Sequence, residues 1–204
     1  MHRLSGGLTA AVLLAVSPAP SPAQDSSTTI VVRGATILPI TGPEIRNGVL
    51  VVKGGKIVAV GASDRVQAPA GAEVIDAKGK VIMPGLIDSH SHIADAEWND
   101  RASPIQGDVR ILDGINPLAD GVKRARAGGI TTVNIMPGSG HLMSGQTAYV
   151  KLRNATRIED MLLCTDVLTQ ICGGMKMANG TNSRGEPPFP GRGPSRRRSC
   201  ARSS

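Results

Sequence analysis

Aromatic residues are almost missing from this 204-residue sequence, which holds one Trp, one Tyr and one Phe, at Trp98, Tyr149 and Phe189. A core must therefore be built from Val, Ile, Leu, Met and Ala. Basic residues interleaved with stacking aromatics, a common way of holding nucleic acid, are absent. Cysteine is scarce too: Cys164, Cys172 and Cys200 form no CxxC pair, which excludes a zinc ribbon. An odd number leaves at least one thiol unpaired, and Cys164 and Cys172 are expected to be buried as small hydrophobes. No apolar run approaches the ~20 residues needed to span a bilayer. The longest, Leu8 to Val16, is far shorter.

The formal charge of +7 is also less than it suggests. Between Arg184 and Ser204 six arginines face one acid, Glu186, so this stretch supplies most of the excess. The basic balance describes a tail, and neither nucleic acid nor a membrane is an expected partner. What is abundant is Gly (25) and Pro (14), which predict many turns.

Four segments follow from this texture. Residues 1–23 read as an export signal: His2 and Arg3, then an apolar stretch, then Ser21-Pro22-Ala23 before Gln24. A periplasmic or secreted location is expected. Residues 29–83 carry short β-branched runs (Thr29 to Ala35, Ile37 to Ile40, Gly48 to Lys53, Lys56 to Gly61, Glu73 to Asp76, Lys80 to Met83). Gly54-Gly55 marks a two-residue hairpin, and an antiparallel β module is predicted. Residues 84–184 alternate: a buried parallel strand from Leu86 to Asp88, a helix over Pro117 to Gly128, and a strand over Ile130 to Met136. A glycine-rich loop over Gly138 to Thr147, a strand over Tyr149 to Leu152, a helix over Ile158 to Leu168 and a strand over Gly174 to Ala178 follow. This α/β order predicts βαβ units on a parallel sheet. Residues 185–204 lack any period and are expected to be a disordered basic tail.

The chemistry concentrates in Asp88-Ser89-His90-Ser91-His92. Residues i and i+2 of a strand project to one side, so two imidazoles at the end of a buried strand can hold one divalent cation. Asp88 would face the same side and orient a histidine from behind. The loop Gly138 to Gly145 lacks the Gly-Lys-Ser/Thr of a phosphate-binding loop.

The stretch Val81-Ile82-Met83-Pro84-Gly85-Leu86-Ile87-Asp88-Ser89-His90-Ser91-His92 resembles the opening signature of the amidohydrolase superfamily. Val51 to Gly61 resembles its N-terminal β-sandwich. Ala127-Gly128-Gly129-Ile130-Thr131-Thr132-Val133 and Gly174-Met175-Lys176-Met177-Ala178-Asn179-Gly180 resemble the imidazolonepropionase-like, dipeptidase-related branch. The resemblance implies a TIM-type (β/α)8 barrel preceded by a small β-sandwich module. One or two divalent metals, zinc foremost, would activate water against a C–N bond of a small-molecule substrate. It implies His90 and His92 as metal ligands, and Lys176 as a metal-bridging carboxylated lysine or a substrate contact.

The sequence departs from that pattern after His92. His141 is the one later histidine, and a full barrel needs ~250 residues. The expectation is an incomplete barrel, with the tail from about Gly191 read as the product of a frameshift. The leading function is a metal-dependent hydrolase of C–N bonds; the alternative is an inactive truncated fragment.

Overall fold

The computed structural model describes residues 28–96 and 102–184. The export-signal segment, the basic tail, Cys200 and residues 97–101 of the polar loop lie outside the described residues. The chain divides after Pro84 into two compact units. Among the described residues no helix is long and apolar enough to cross a membrane.

The first unit is one five-stranded sheet. Its strands are β1 (Thr29–Ile37), β2 (Ile45–Lys53), β3 (Lys56–Ala62), β4 (Glu73–Asp76) and β5 (Val81–Ile82). The order is β3-β2-β1-β4, with β5 also on β1. The hairpin turn is where the sequence puts it, Gly54 and Gly55 joining β2 to β3 with φ of 56° and 73°. That left-handed pair matches the twist of the flanking strands.

Two expectations fail here. The unit is mixed rather than antiparallel, because β4 and β5 both run parallel to β1. The runs Thr29 to Ala35 and Ile37 to Ile40 are one strand through Ile37, with a register shift between Arg33 and Ala35. Gly34 takes φ 83° at that shift. One extra residue there reverses the alternation, as a β-bulge does. Val31 packs with Val49 and Val51, whereas Ala35 and Ile37 pack with Ala77 in a second cluster.

The second unit starts at β6 (Leu86–Ser91) and continues through a short 3-10 helix (Ile111–Gly114) and α1 (Asp120–Ala127). The strands β7 (Ile130–Ile135), β8 (Met143–Gln146), β9 (Ala148–Lys151) and β10 (Met175–Met177) follow. The α1 helix stops at Gly128-Gly129, where Gly129 takes φ 86°, the usual use of glycine past a helix end. It buries Val122, while Leu118 precedes the first turn and stays exposed.

The βαβ expectation is met once, by β6, α1 and β7, with β6 parallel to β7. After that the chain turns back. The connection from Met136 to Thr147 carries β8 instead of a crossover helix, so β9 joins β7 antiparallel. A parallel return would need a longer crossover. The predicted glycine-rich loop contains β8, which pairs with β10 in a separate two-stranded sheet. The helix expected over Ile158 to Leu168 is absent. Instead Leu162 bridges Val150, Lys151 N–H donates to the Met161 carbonyl at 2.7 Å, and Leu163 N–H donates to that of Tyr149 at 3.1 Å. Edge pairing to β9 wins over local helix bonding because it buries Met161 and Leu162.

The core lies on one face of β7 and β9. Val133, Ile135, Ala148, Val150 and Met161 are fully enclosed, with Val122 from α1 and Ile111 alongside. Each such aliphatic side chain contributes about 1.5–3 kcal/mol by leaving water. β6 was expected to be buried; it is an edge strand, and Leu86 and Ile87 stand exposed at 51% and 68%.

Candidate metal centre

β6 ends where β7 ends, because the two are parallel and Ser91 lies opposite Ile135. The register slips by a residue between Asp88 and Ser91, a bulge at the point where the histidines emerge. Asp88 holds this bend: its carboxylate accepts the backbone N–H of His90 at 3.0 Å. The expected Asp88–imidazole contact is thus replaced by a main-chain one, since the bulge turns the His90 amide toward the carboxylate.

His90 and His92 are brought together as the spacing predicts. Their rings meet edge to face with centroids 5.2 Å apart, and the two Nε2 atoms are 3.3 Å apart. His92 Nδ1 lies 2.9 Å from the Met136 carbonyl. A carbonyl accepts only, so Nδ1 carries the proton and His92 Nε2 presents its lone pair. Lys176 arrives from β10: its Nζ sits 3.2 Å from His90 Nε2 and 3.5 Å from the Met136 sulfur. The residue is 7% exposed, and burial pushes its amine below the usual lysine range. Three nitrogens, from β6, the residue just past it and β10, therefore share one small volume.

Met136 was not foreseen as a site residue. The signal was present: Pro137-Gly138 ends β7 directly after it, which places its carbonyl beside the end of β6. His141, the one later histidine, is 1% exposed. Among the described residues no three His, Cys, Asp or Glu side chains cluster as a metal site. The lysine is what extends the histidine pair.

The pair itself fits a divalent ion. Ligands ~2.0–2.1 Å from a tetrahedral zinc are about 3.3 Å from each other, the separation found between the two Nε2 atoms. The donor set of neutral imidazoles suits zinc and other first-row metals.

The β6–α1–β7 unit carries two histidines at its strand end, and comparison with known proteins adds to this observation. The Amidohydrolase family matches residues 73–128. A 5-methylthioadenosine/S-adenosylhomocysteine deaminase of Symbiobacterium thermophilum is 43% identical over 67 residues, 32% of this chain and 15% of that protein. An imidazolonepropionase of Geobacillus kaustophilus is 46% identical over 67 residues, covering 28% of this chain and 16% of the relative. Among solved structures, an amidohydrolase from Thermotoga maritima superposes with a TM-score of 0.66 at 33% identity, over 75% of this chain and 39% of that one. The chain thus spans under two-fifths of any of these relatives' lengths. Over these stretches the chain is similar in sequence to amidohydrolases, and in fold it is similar to the Thermotoga maritima amidohydrolase.

Proposed function

We propose that this chain contributes the first part of the metal site of a hydrolase acting on C–N bonds of small molecules. The carrying observation is the convergence of His90 Nε2, His92 Nε2 and Lys176 Nζ at 3.3 and 3.2 Å. His90 and His92 are the ligands of a divalent ion, zinc foremost. Such an ion lowers the pKa of water and polarises a carbonyl.

The chain's own groups prepare the place for it. The Met136 carbonyl keeps the His92 lone pair facing His90, and Asp88 keeps the β6 bend that aims His90. Lys176 is the third nitrogen. Carboxylated by carbon dioxide, with loss of one proton, it would become a carbamate able to serve as a further metal ligand. Left unmodified, it can contact a substrate carboxylate. The relatives named for deamination and for imidazolonepropionase activity support a C–N substrate. Export to the periplasm or beyond belongs to the same proposal.

Titration of the purified chain with zinc tests the reading. About one equivalent should bind, and His90→Ala and His92→Ala should each abolish it. Binding that survives both substitutions would sink the assignment. A second reading, a metal-binding polypeptide without turnover, is favoured by the absence of a further His, Cys, Asp or Glu at the pair among the described residues. It predicts stoichiometric zinc with no hydrolysis of dipeptides, cyclic amides or amino-purine nucleosides.

A further inference from the structure

Cys164 and Cys172, expected as buried thiols, are joined in a disulfide with Cα atoms 5.1 Å apart. Both are only half-buried, within reach of a small reductant. The bond lies immediately upstream of the strand that carries Lys176.

That strand cannot hold its own position. β10 is three residues long and pairs with β8 alone, and a two-stranded ribbon is marginal in water even when longer. Fixing a lysine side chain costs further rotamer freedom. What holds Lys176 must therefore come from the ties flanking β10. Downstream, Ala178 N–H donates to the Leu142 carbonyl at 3.1 Å.

Upstream the ties form a series that begins at the disulfide. Tyr149 N–H donates to the Cys172 carbonyl at 2.9 Å. Gly173 lies so close to Thr147 that a Cβ there would fall 2.4 Å from the Thr147 carbonyl oxygen. Thr147 N–H donates to the Gly174 carbonyl at 2.8 Å, and Gly174 N–H donates to the Thr147 hydroxyl at 2.7 Å. Lys176 follows two residues later, opposite Gly145. On the other side of the bridge, Leu163 N–H donates to the Tyr149 carbonyl. Both ends of the cross-linked loop are therefore docked on the same strand, β9, and the disulfide closes the ring.

We propose that the Cys164–Cys172 disulfide is a positioning device for Lys176, so that the nitrogen cluster is tight when the pair is oxidised and loose when a dithiol reduces it. In the reduction one dithiol delivers two electrons and two protons. The S–S bond breaks, two cysteine thiols form, and the dithiol closes to its own disulfide. The inference rests on the metal reading of His90, His92 and Lys176, but its mechanical part stands apart from the metal.

The experiment compares the oxidised chain with Cys164→Ser/Cys172→Ser, which lacks the bridge and has no thiolate at either position to bind zinc. Hydrogen exchange on the metal-free proteins reads the mechanical part. The Thr147, Tyr149 and Ala178 amides should exchange at least tenfold faster without the bridge, while Val133 and Ile135 on β7 should not. Zinc titration reads the consequence: affinity should fall about 10- to 100-fold, the usual scale for losing a group that orients a site. The same loss should vanish in a Lys176→Ala background. Unchanged exchange at the three amides overturns the proposal. So does an affinity loss that persists in Lys176→Ala, which would mark general loosening rather than placement of the lysine. Faster exchange with no zinc bound by either protein would keep the positioning role and sink the metal reading instead.

Discussion

Ile135→Ala is the perturbation whose cost the structure fixes most closely. Ile135 is fully enclosed at the centre of the second unit's core, on β7 between β6 and β9. The substitution removes three carbons, worth about 2.4 kcal/mol at ~0.8 kcal/mol each. β7 is held by a neighbour on both sides, so collapse around the gap is restricted. At ~24 cal/mol per Å3, a residual cavity of roughly 60 Å3 adds about 1.4 kcal/mol. The expected loss is about 2.5–4 kcal/mol. In a urea titration followed by circular dichroism, a slope near ~2 kcal/mol/M turns this into a midpoint lower by roughly 1.2–2 M. Leu168→Ala is the control, because Leu168 is 86% exposed; it should shift stability by no more than about 0.5 kcal/mol. Equal midpoints for the two variants would refute the placement of the core on that face of β7.

Other consequences can be measured alongside. Zinc at a hundred times its Kd should stabilise the oxidised chain by about 2.7 kcal/mol, with EDTA reversing the effect; a melting temperature indifferent to both would contradict specific binding to the folded state. Removing the Cys164–Cys172 bridge, of sequence separation 8, should cost about 2.5 kcal/mol on the chain-entropy scale in metal-free buffer. A change below ~0.5 kcal/mol would show that the loop is ordered without it. Gly145→Ala places a Cβ 2.5 Å from the Val109 carbonyl oxygen at φ 122°, and should cost about 1–3 kcal/mol. Gly114→Ala, with nothing within 4 Å and no such backbone angle, should be close to neutral by the same melt.

What could be read from residues alone was local. Gly54-Gly55 dictates its hairpin and Gly128-Gly129 its helix end because each needs only a few neighbouring dihedrals. The histidine pair was legible for the same reason, its two residues lying two apart at the end of one strand. What failed depended on partners distant in sequence. The Ile158 to Leu168 segment has the composition of a helix but bonds to β9, and nothing in its own pattern announces an edge in need of a partner. The disulfide escaped because Cys164 fell within an expected helix, and the loop that brings it to Cys172 exists only once that helix is gone. Lys176 was a candidate by resemblance; its 3.2 Å approach to His90 arises from pairing between β8 and β10, which period and composition do not encode. Asp88 was expected to orient an imidazole; its carboxylate accepts the His90 main-chain N–H at the bulge.

Met136 contributes to the nitrogen cluster in two unequal ways. Its carbonyl sets the tautomer of His92, and every amino acid possesses that carbonyl, so the contribution passes unchanged through any substitution that leaves β7 intact. Its thioether faces the Lys176 amine and is open to replacement or to oxidation to a sulfoxide, a stronger acceptor. One position thus combines a heritable constant with an adjustable element. Sequence drift at residue 136 would retune the lysine while leaving the histidine pair as it is.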